Sequence, residues 1–269
     1  MDRQALVCRN ILEKPDITQR EMAKNMDISL GTVNGLVKEC LAEGYIAEEE
    51  NGKEKHLILL EKGKELLKPY KVDGALIIAA GFGSRFVPLT FETPKGLLEV
   101  FGERMIERQI KQLHEVGIYD ITIAVGYLKE KFEYLIDKFD VKLLYNPEYS
   151  CKNTLATVYR ARKFLKGRNV YILSSDNWMR ENMYHSYECG AWYSAAHEEG
   201  ETKEWCLTFN KKGRISDVNV GGKDAWFMYG PVYLSREFSA RFLPVLEAYY
   251  QIPGTEQFYW EQPYIDMLK

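Results

Sequence analysis

Histidine is scarce in this chain, four in 269 residues, and no two are spaced as His-x-x-x-His. That leaves little from which to build a zinc hydrolase. The five cysteines, Cys8, Cys40, Cys151, Cys189 and Cys206, are odd in number and widely spaced, with no Cys-x-x-Cys pair. This argues against a disulfide framework or a zinc knuckle and leads us to expect a reducing, cytoplasmic location. Long apolar runs are missing too. The longest, such as residues 75–80, are strand-length, whereas a membrane span needs roughly 20 apolar residues. The start, Met1-Asp2-Arg3-Gln4, shows no basic stretch leading into an apolar one, so no secretory signal is expected. Charge of one sign is also lacking. The net charge is −3, so no global basic field recruits nucleic acid or an anionic membrane. What remains is ordinary globular composition, 46% hydrophobic and 28% charged, enough for one large domain or two smaller ones.

Residues 1–70 read as three helices and a hairpin. Leu6, Ile11 and Leu12 mark a first helix that ends near Pro15. Thr18 with Glu21 forms a capping box for a second, and Ser29 caps a third carrying Val33, Leu36, Val37 and Leu41. Gly44 suits the end of that helix. Tyr45-Ile46-Ala47 and a run through Leu60 flank Asn51-Gly52, a hairpin signal. Helix, turn, helix and wing in this order resemble the winged-helix domains of bacterial regulators, and Asp27–Val33 is similar to the start of their recognition helix. The resemblance implies DNA as a partner. However, acidic and basic side chains nearly cancel here, and the wing carries Glu48-Glu49-Glu50. A docking or regulatory module that binds no DNA is the other reading.

From Gly74 the pattern becomes α/β. Ala75-Leu76-Ile77-Ile78-Ala79-Ala80 is a continuous apolar run, as for a strand buried on both faces. It leads into Gly81-Phe82-Gly83-Ser84-Arg85-Phe86, and Pro94-Lys95-Gly96 follows. Glycines after a buried strand let backbone N–H groups approach phosphate oxygens, and Arg85 adds a cationic fork. No third glycine completes a dinucleotide fingerprint, because position 86 is Phe86, and no Gly-Lys-Ser/Thr makes a Walker loop.

The whole run from Ala79 through Pro88-Leu89-Thr90 to Pro94-Lys95-Gly96-Leu97 closely resembles the signature of the sugar- and alcohol-phosphate nucleotidyltransferases. The resemblance implies a Rossmann-like domain with a mostly parallel mixed sheet over residues 74–269. It implies a loop of Ala79, Ala80, Gly81, Gly83 and Ser84 around a nucleoside triphosphate, with Arg85 and Lys95 countering its charge. By the same resemblance Gly126, Tyr127 and Asn153 are nucleotide contacts, although a strand end, a packing aromatic and a helix cap explain them as well. Asn169–Asn177 reads as a buried strand ending in Asp176, the candidate ligand for Mg²⁺. Relatives carry a second metal aspartate on a late strand. No match is evident here. Either the chain is part of a longer protein, or Asp217, Asp224 or another group substitutes.

Gly126–Phe132, Ser175-Asp176-Asn177, Lys203-Glu204-Trp205 and Phe258-Tyr259-Trp260-Glu261 resemble the bacterial phosphocholine cytidylyltransferases most closely. That family implies CTP and phosphocholine as substrates. Trimethylammonium has no N–H to donate and is recognised by aromatic faces, worth about 0.5–2 kcal/mol each, and a nearby carboxylate. Trp205, Tyr229, Tyr259 and Trp260 are the expected cage, with Glu204 or Glu261 as the anion. A sugar-1-phosphate or aminoethylphosphonate nucleotidyltransferase, and a DNA-binding regulator with a nucleotide-sensing domain, are the alternatives.

Overall fold

A computed structural model of the protein describes residues 2–51 and 54–268. The chain divides into two units. One runs to Lys71 and takes in Tyr187–Gly190; the other comprises Val72–Ser186 and Ala191 onward.

In the smaller unit, α1 spans Arg3–Glu13, α2 Gln19–Met26 and α3 Leu30–Ala42. Each start is fixed by a side chain that accepts otherwise orphaned N–H groups. Asp2 serves α1, Thr18 and Glu21 form a reciprocal capping box on α2, and Ser29 accepts from Thr32 on α3. Antiparallel strands β1 (Ile46–Asn51) and β2 (Glu54–Leu59) precede α4 (Glu61–Leu67). The expected Asn51-Gly52 turn falls largely outside the described residues. Val33, Val37 and Cys40 turn one face of α3 into the core, beside Ala5, Cys8 and Ile11 of α1. The exposed face of α3 offers Gly31, Asn34, Gly35 and Lys38. The core is completed by Cys189, and Glu188 forms a buried 2.9 Å ion pair with Arg9.

The larger unit is a three-layer α/β structure. Its strands and helices are β3 (Gly74–Ala79), the short pair β4 (Glu99–Val100) and β5 (Glu103–Arg104), α5 (Met105–Glu115), β6 (Ile121–Val125), α6 (Tyr134–Phe139), β7 (Lys142–Tyr145), α7 (Thr154–Leu165), β8 (Val170–Ser174), β9 (Trp192–Phe209), β10 (Ile215–Leu234), α8 (Arg236–Gln251) and α9 (Gln262–Asp266). The main sheet has the order β7-β6-β3-β8-β10-β9. The first four strands are parallel, and β10 and β9 join antiparallel.

Successive residues of β3 face opposite sides, as pleating requires. Ala75, Ile77 and Ala79 pack against Ile106, Ile110 and Leu113 of α5. Leu76 packs in a second cluster with Leu155 and Val158 of α7 and Phe242 and Leu246 of α8. Both faces are covered, which is why this strand reads as an unbroken apolar run.

From β3 the chain moves outward to β6 and β7, then returns to place β8 on the other side of β3. The connections therefore diverge at the carboxyl ends of β3 and β8, the place where open α/β sheets bind ligands. Asp224 is named above as a candidate substitute for the second metal aspartate. Asp224 lies within β10, not in a loop, and its carboxylate accepts the Gly200 N–H at 2.8 Å.

The segment between β7 and α7 is held by Glu148. Its carboxylate receives Lys152 at 2.7 Å, Arg160 at 2.7 Å and the Tyr250 hydroxyl at 2.7 Å. Burial opposes its charge, but these donors outweigh burial and hold the carboxyl down at about 2. Its contribution is therefore complete above the ordinary value of 4.5 and is lost as pH falls toward 2. Glu148→Gln should cost the larger unit about 1–3 kcal/mol at pH 7. In denaturant unfolding, the gap from wild type should stay constant above pH 5 and shrink below it.

Candidate active site

The site is built from the carboxyl ends of β3 and β8 and the turn after β6. The Ala80 carbonyl accepts the Tyr127 N–H at 3.1 Å, so Gly126 and Tyr127 lie directly beside the end of β3. Gly126 has to be glycine. A Cβ there would lie 2.6 Å from Tyr149 Cβ and 2.7 Å from the Ala80 oxygen. Phe82 stands between two tyrosines, its ring centre 5.2 Å from that of Tyr127 and 5.3 Å from that of Tyr149.

Gly83 adopts φ +64°, a left-handed conformation that favours glycine. It opens a single 3₁₀ turn, Ser84–Phe86. Buried Thr90 donates to the Gly83 carbonyl at 2.9 Å and locks that turn from below. Nothing would obstruct a Cβ at Gly81, so its backbone faces open space and can approach a ligand closely. Arg85 and Ser84 are exposed on the turn, and Arg85 has no ion-pair partner among the described residues.

Lys95 forms an ion pair with Asp176. Its ammonium also sits 4.3 Å from the centre of the Phe86 ring, and its Cβ closes on Gly83. The structure thus brings together the glycine loop, Lys95 and Asp176. Asp176 occupies the third position of a turn in which the Asn177 N–H donates to the Ser174 carbonyl at 3.3 Å. Gly96 permits this approach, because a Cβ there would meet Ser175 Cβ at 2.6 Å. No cluster of three or more His, Cys, Asp or Glu groups suited to a metal occurs among the described residues. A lone carboxylate beside a phosphate site suits a hard cation that takes most of its oxygen ligands from phosphates and water.

Asn153 is occupied by the fold. Its side chain accepts from Thr154 N at 2.8 Å and donates to the Gln257 carbonyl at 3.3 Å, and its own N–H donates to the Glu256 carbonyl at 2.7 Å. These bonds lay residues 256–258 along the start of α7. Beyond them Tyr259, 48% exposed, meets Trp205 edge-on with ring centres 5.6 Å apart. Tyr229 is exposed on β10 beside Phe227.

One member of the expected cage is corrected. Trp260 is 6% exposed, stacked on Tyr193 and capped by the edge of Phe242, so it offers no open face. Glu204 is exposed, while its neighbour Trp205 is partly buried. Glu261 is different. The Tyr193 hydroxyl donates to its Oε1 at 3.0 Å, while its Oε2 is buried with no hydrogen-bond partner. Burial pushes its carboxyl up to about 7.

Thr90 and Tyr149 escaped the sequence reading. The partner each one meets lies in another segment, and no local spacing announces it.

Residues 74–198 match the Nucleotidyl transferase family, and residues 9–47 match a winged helix-turn-helix DNA-binding family. The chain is similar to choline-phosphate cytidylyltransferase of Streptococcus pneumoniae, with 32% identity over 72% of this chain and 84% of that protein. It is also similar to 2-aminoethylphosphonate cytidylyltransferase of Lancefieldella rimae, with 34% identity over 70% of this chain and 77% of that protein. The solved structure of the S. pneumoniae CTP:phosphocholine cytidylyltransferase (LicC) matches with a TM-score of 0.69, over 73% of this chain and 85% of that one. UDP-glucose pyrophosphorylase, at 14% identity and a TM-score of 0.56, shares the fold alone.

The Lys95 ammonium lies against the Asp176 carboxylate, where it would compete with any divalent cation for the same oxygens. Lys95→Ala should therefore tighten Mn²⁺ binding to the free protein by roughly tenfold, about 1.4 kcal/mol. Electron paramagnetic resonance titration reads this directly, and weaker binding in the variant would remove Asp176 as the ligand.

Proposed function

Because the chain belongs to the choline-phosphate cytidylyltransferase family of nucleotidyltransferases, we propose that it joins CTP and phosphocholine, forming CDP-choline and pyrophosphate. The observation that carries this reading is the meeting of Lys95 and Asp176 beside the Gly81–Gly83 backbone. An acceptor phosphate is already ionised at neutral pH, so it can attack the α-phosphorus of CTP in line, and pyrophosphate departs. No covalent nucleophile is required. Rate comes from positioning and from neutralising phosphate charge.

Open backbone around Gly81 can cradle the triphosphate, while Arg85 and Lys95 offset charge on its oxygens. Lys95 can exchange its carboxylate partner for those phosphates, and Asp176 is the residue that would hold Mg²⁺. The ion would supply Lewis-acid and template chemistry. Phe82, Tyr127 and Tyr149 offer aromatic surface next to the loop. At the acceptor end, Trp205 and Tyr259 provide faces for a cationic head group and Glu261 the anion. All five cysteines are free thiols, which supports action in the cytoplasm, where CTP is found. No helix among the described residues is long and apolar enough to cross a membrane.

One observation favours a second acceptor. The buried, unpartnered Oε2 of Glu261 can accept a hydrogen bond, which a primary ammonium such as that of 2-aminoethylphosphonate can donate and trimethylammonium cannot. For the smaller unit, the winged-helix match supports duplex DNA as a partner, to be read as salt-dependent binding.

Pyrophosphate release with each nucleoside triphosphate and a panel of acceptors tests the proposal. CTP with phosphocholine should be the best pair. Turnover only with a sugar phosphate, or with no acceptor at all, would overturn it. Lys95→Ala should lower kcat by about 100-fold or more with the fold intact. A cationic acceptor needs the charged form of Glu261, so its KM should rise below pH 7 by about tenfold per pH unit. That rise should be absent in Glu261→Gln.

A further inference from the structure

Gln109 lies on α5 and is 1% exposed. Its side-chain nitrogen donates to the Ser174 carbonyl at 2.9 Å and to the Asn177 carbonyl at 2.8 Å. These are the first and last carbonyls of the four-residue turn that carries Asp176. Both neighbours are acceptors, which fixes the orientation of the amide with its nitrogen toward them. A single buried amide therefore straddles the turn and sets its width.

The amide oxygen has no hydrogen-bond partner and is buried. Methionine would fill nearly the same volume without that unsatisfied oxygen. For packing alone, glutamine is thus the poorer residue at this position. Its two N–H donors are the only chemistry that methionine lacks, and both are spent on the Asp176 turn.

The surroundings support the same role. The Ser175 N–H donates to the Ile78 carbonyl at 3.0 Å, tying the turn to the end of β3. Gly96 and Gly230 close on Ser175 and Asn177 from two sides. Gln112, one helical turn along α5, donates to the Met179 carbonyl at 3.1 Å, and Arg108 donates to the Arg180 carbonyl. One face of α5 therefore holds the backbone from Ser174 to Arg180. Within it, only Gln109 contacts the turn that carries the carboxylate.

We propose that Gln109 is a positioning residue for Asp176, holding the carboxylate at the height where it meets Lys95 and where it would meet a phosphate-bound divalent cation. This rests on the reading of Asp176 as a metal ligand. Residues that hold metal ligands in place typically account for 10–100-fold in affinity or rate.

Gln109→Met keeps the size and removes the donors. Mn²⁺ binding to the free protein should weaken by about tenfold, and the divalent-ion concentration for half-maximal turnover should rise with it. The KM for the acceptor should hold steady, since Trp205, Tyr259 and Glu261 belong to other elements. Combined with Asp176→Asn, Gln109→Met should add no further loss, because both act through one carboxylate. A lower melting temperature with unchanged Mn²⁺ affinity would reduce Gln109 to a packing residue and overturn the proposal. So would additive losses in the double variant. Gln109→Glu, which retains one donor when protonated, should fall between wild type and Gln109→Met, and it serves if the methionine variant does not fold. Mn²⁺ binding is read without substrates. A failed cytidylyl-transfer assay in the wild type would therefore count against the proposed reaction and leave this test standing.

Discussion

The site is organised around an ammonium and a carboxylate that neutralise each other where the sheet runs out. Partly buried opposite charges of this kind are tolerable only in company, because leaving one of them alone would cost several kcal/mol. Lys95 and Asp176 therefore constrain each other and everything that delivers them. The glycine at position 96 lets the 3₁₀ turn that carries the lysine approach, and the turn after β8 raises the aspartate to meet it. The parallel core strands fix the distance between the two. The pair leaves each group with its opposite charge at hand, and under the proposed reaction a metal–triphosphate complex would offer a negative partner to the lysine and a positive one to the aspartate together.

The parts of this site that sequence made legible are those encoded by short spacing. Gly81, Gly83 and Arg85 follow one buried strand and Asp176 ends another, so strand periodicity and glycine placement located them, while Lys95 was singled out by the family resemblance. The capping residues Thr18, Glu21 and Ser29 were readable for the same reason. The supporting residues were hidden because each takes its meaning from a partner that no local pattern announces. Thr90 looks like an ordinary loop residue until Gly83 folds over it. Tyr149 gains meaning only against Gly126, and Gln109 only against a turn 65 residues downstream.

Aromatic side chains were the least legible. Trp205, Tyr259 and Trp260 look alike as an enriched set, yet Trp260 packs into the core formed with Phe242 while Tyr259 remains half exposed. Hydrophobicity cannot separate a ring that fills a core from one that faces a ligand. The long β9–β10 hairpin was hidden for a related reason. Its outer part is exposed and polar on both faces, so it lacks the alternation that marks a half-buried strand.

The smaller unit is not a bead threaded onto one end of the chain. Its core closes around Cys189, and Arg9 is matched by Glu188, both supplied by a four-residue excursion that begins ten positions after Asn177. The polypeptide thus visits this unit twice, and no single cut in the covalent chain separates the two bodies. An ancestral fusion of this architecture would have required more than joining two reading frames end to end. A stretch inside the second partner had to acquire residues suited to the interior of the first, so the two histories of substitution became interlocked.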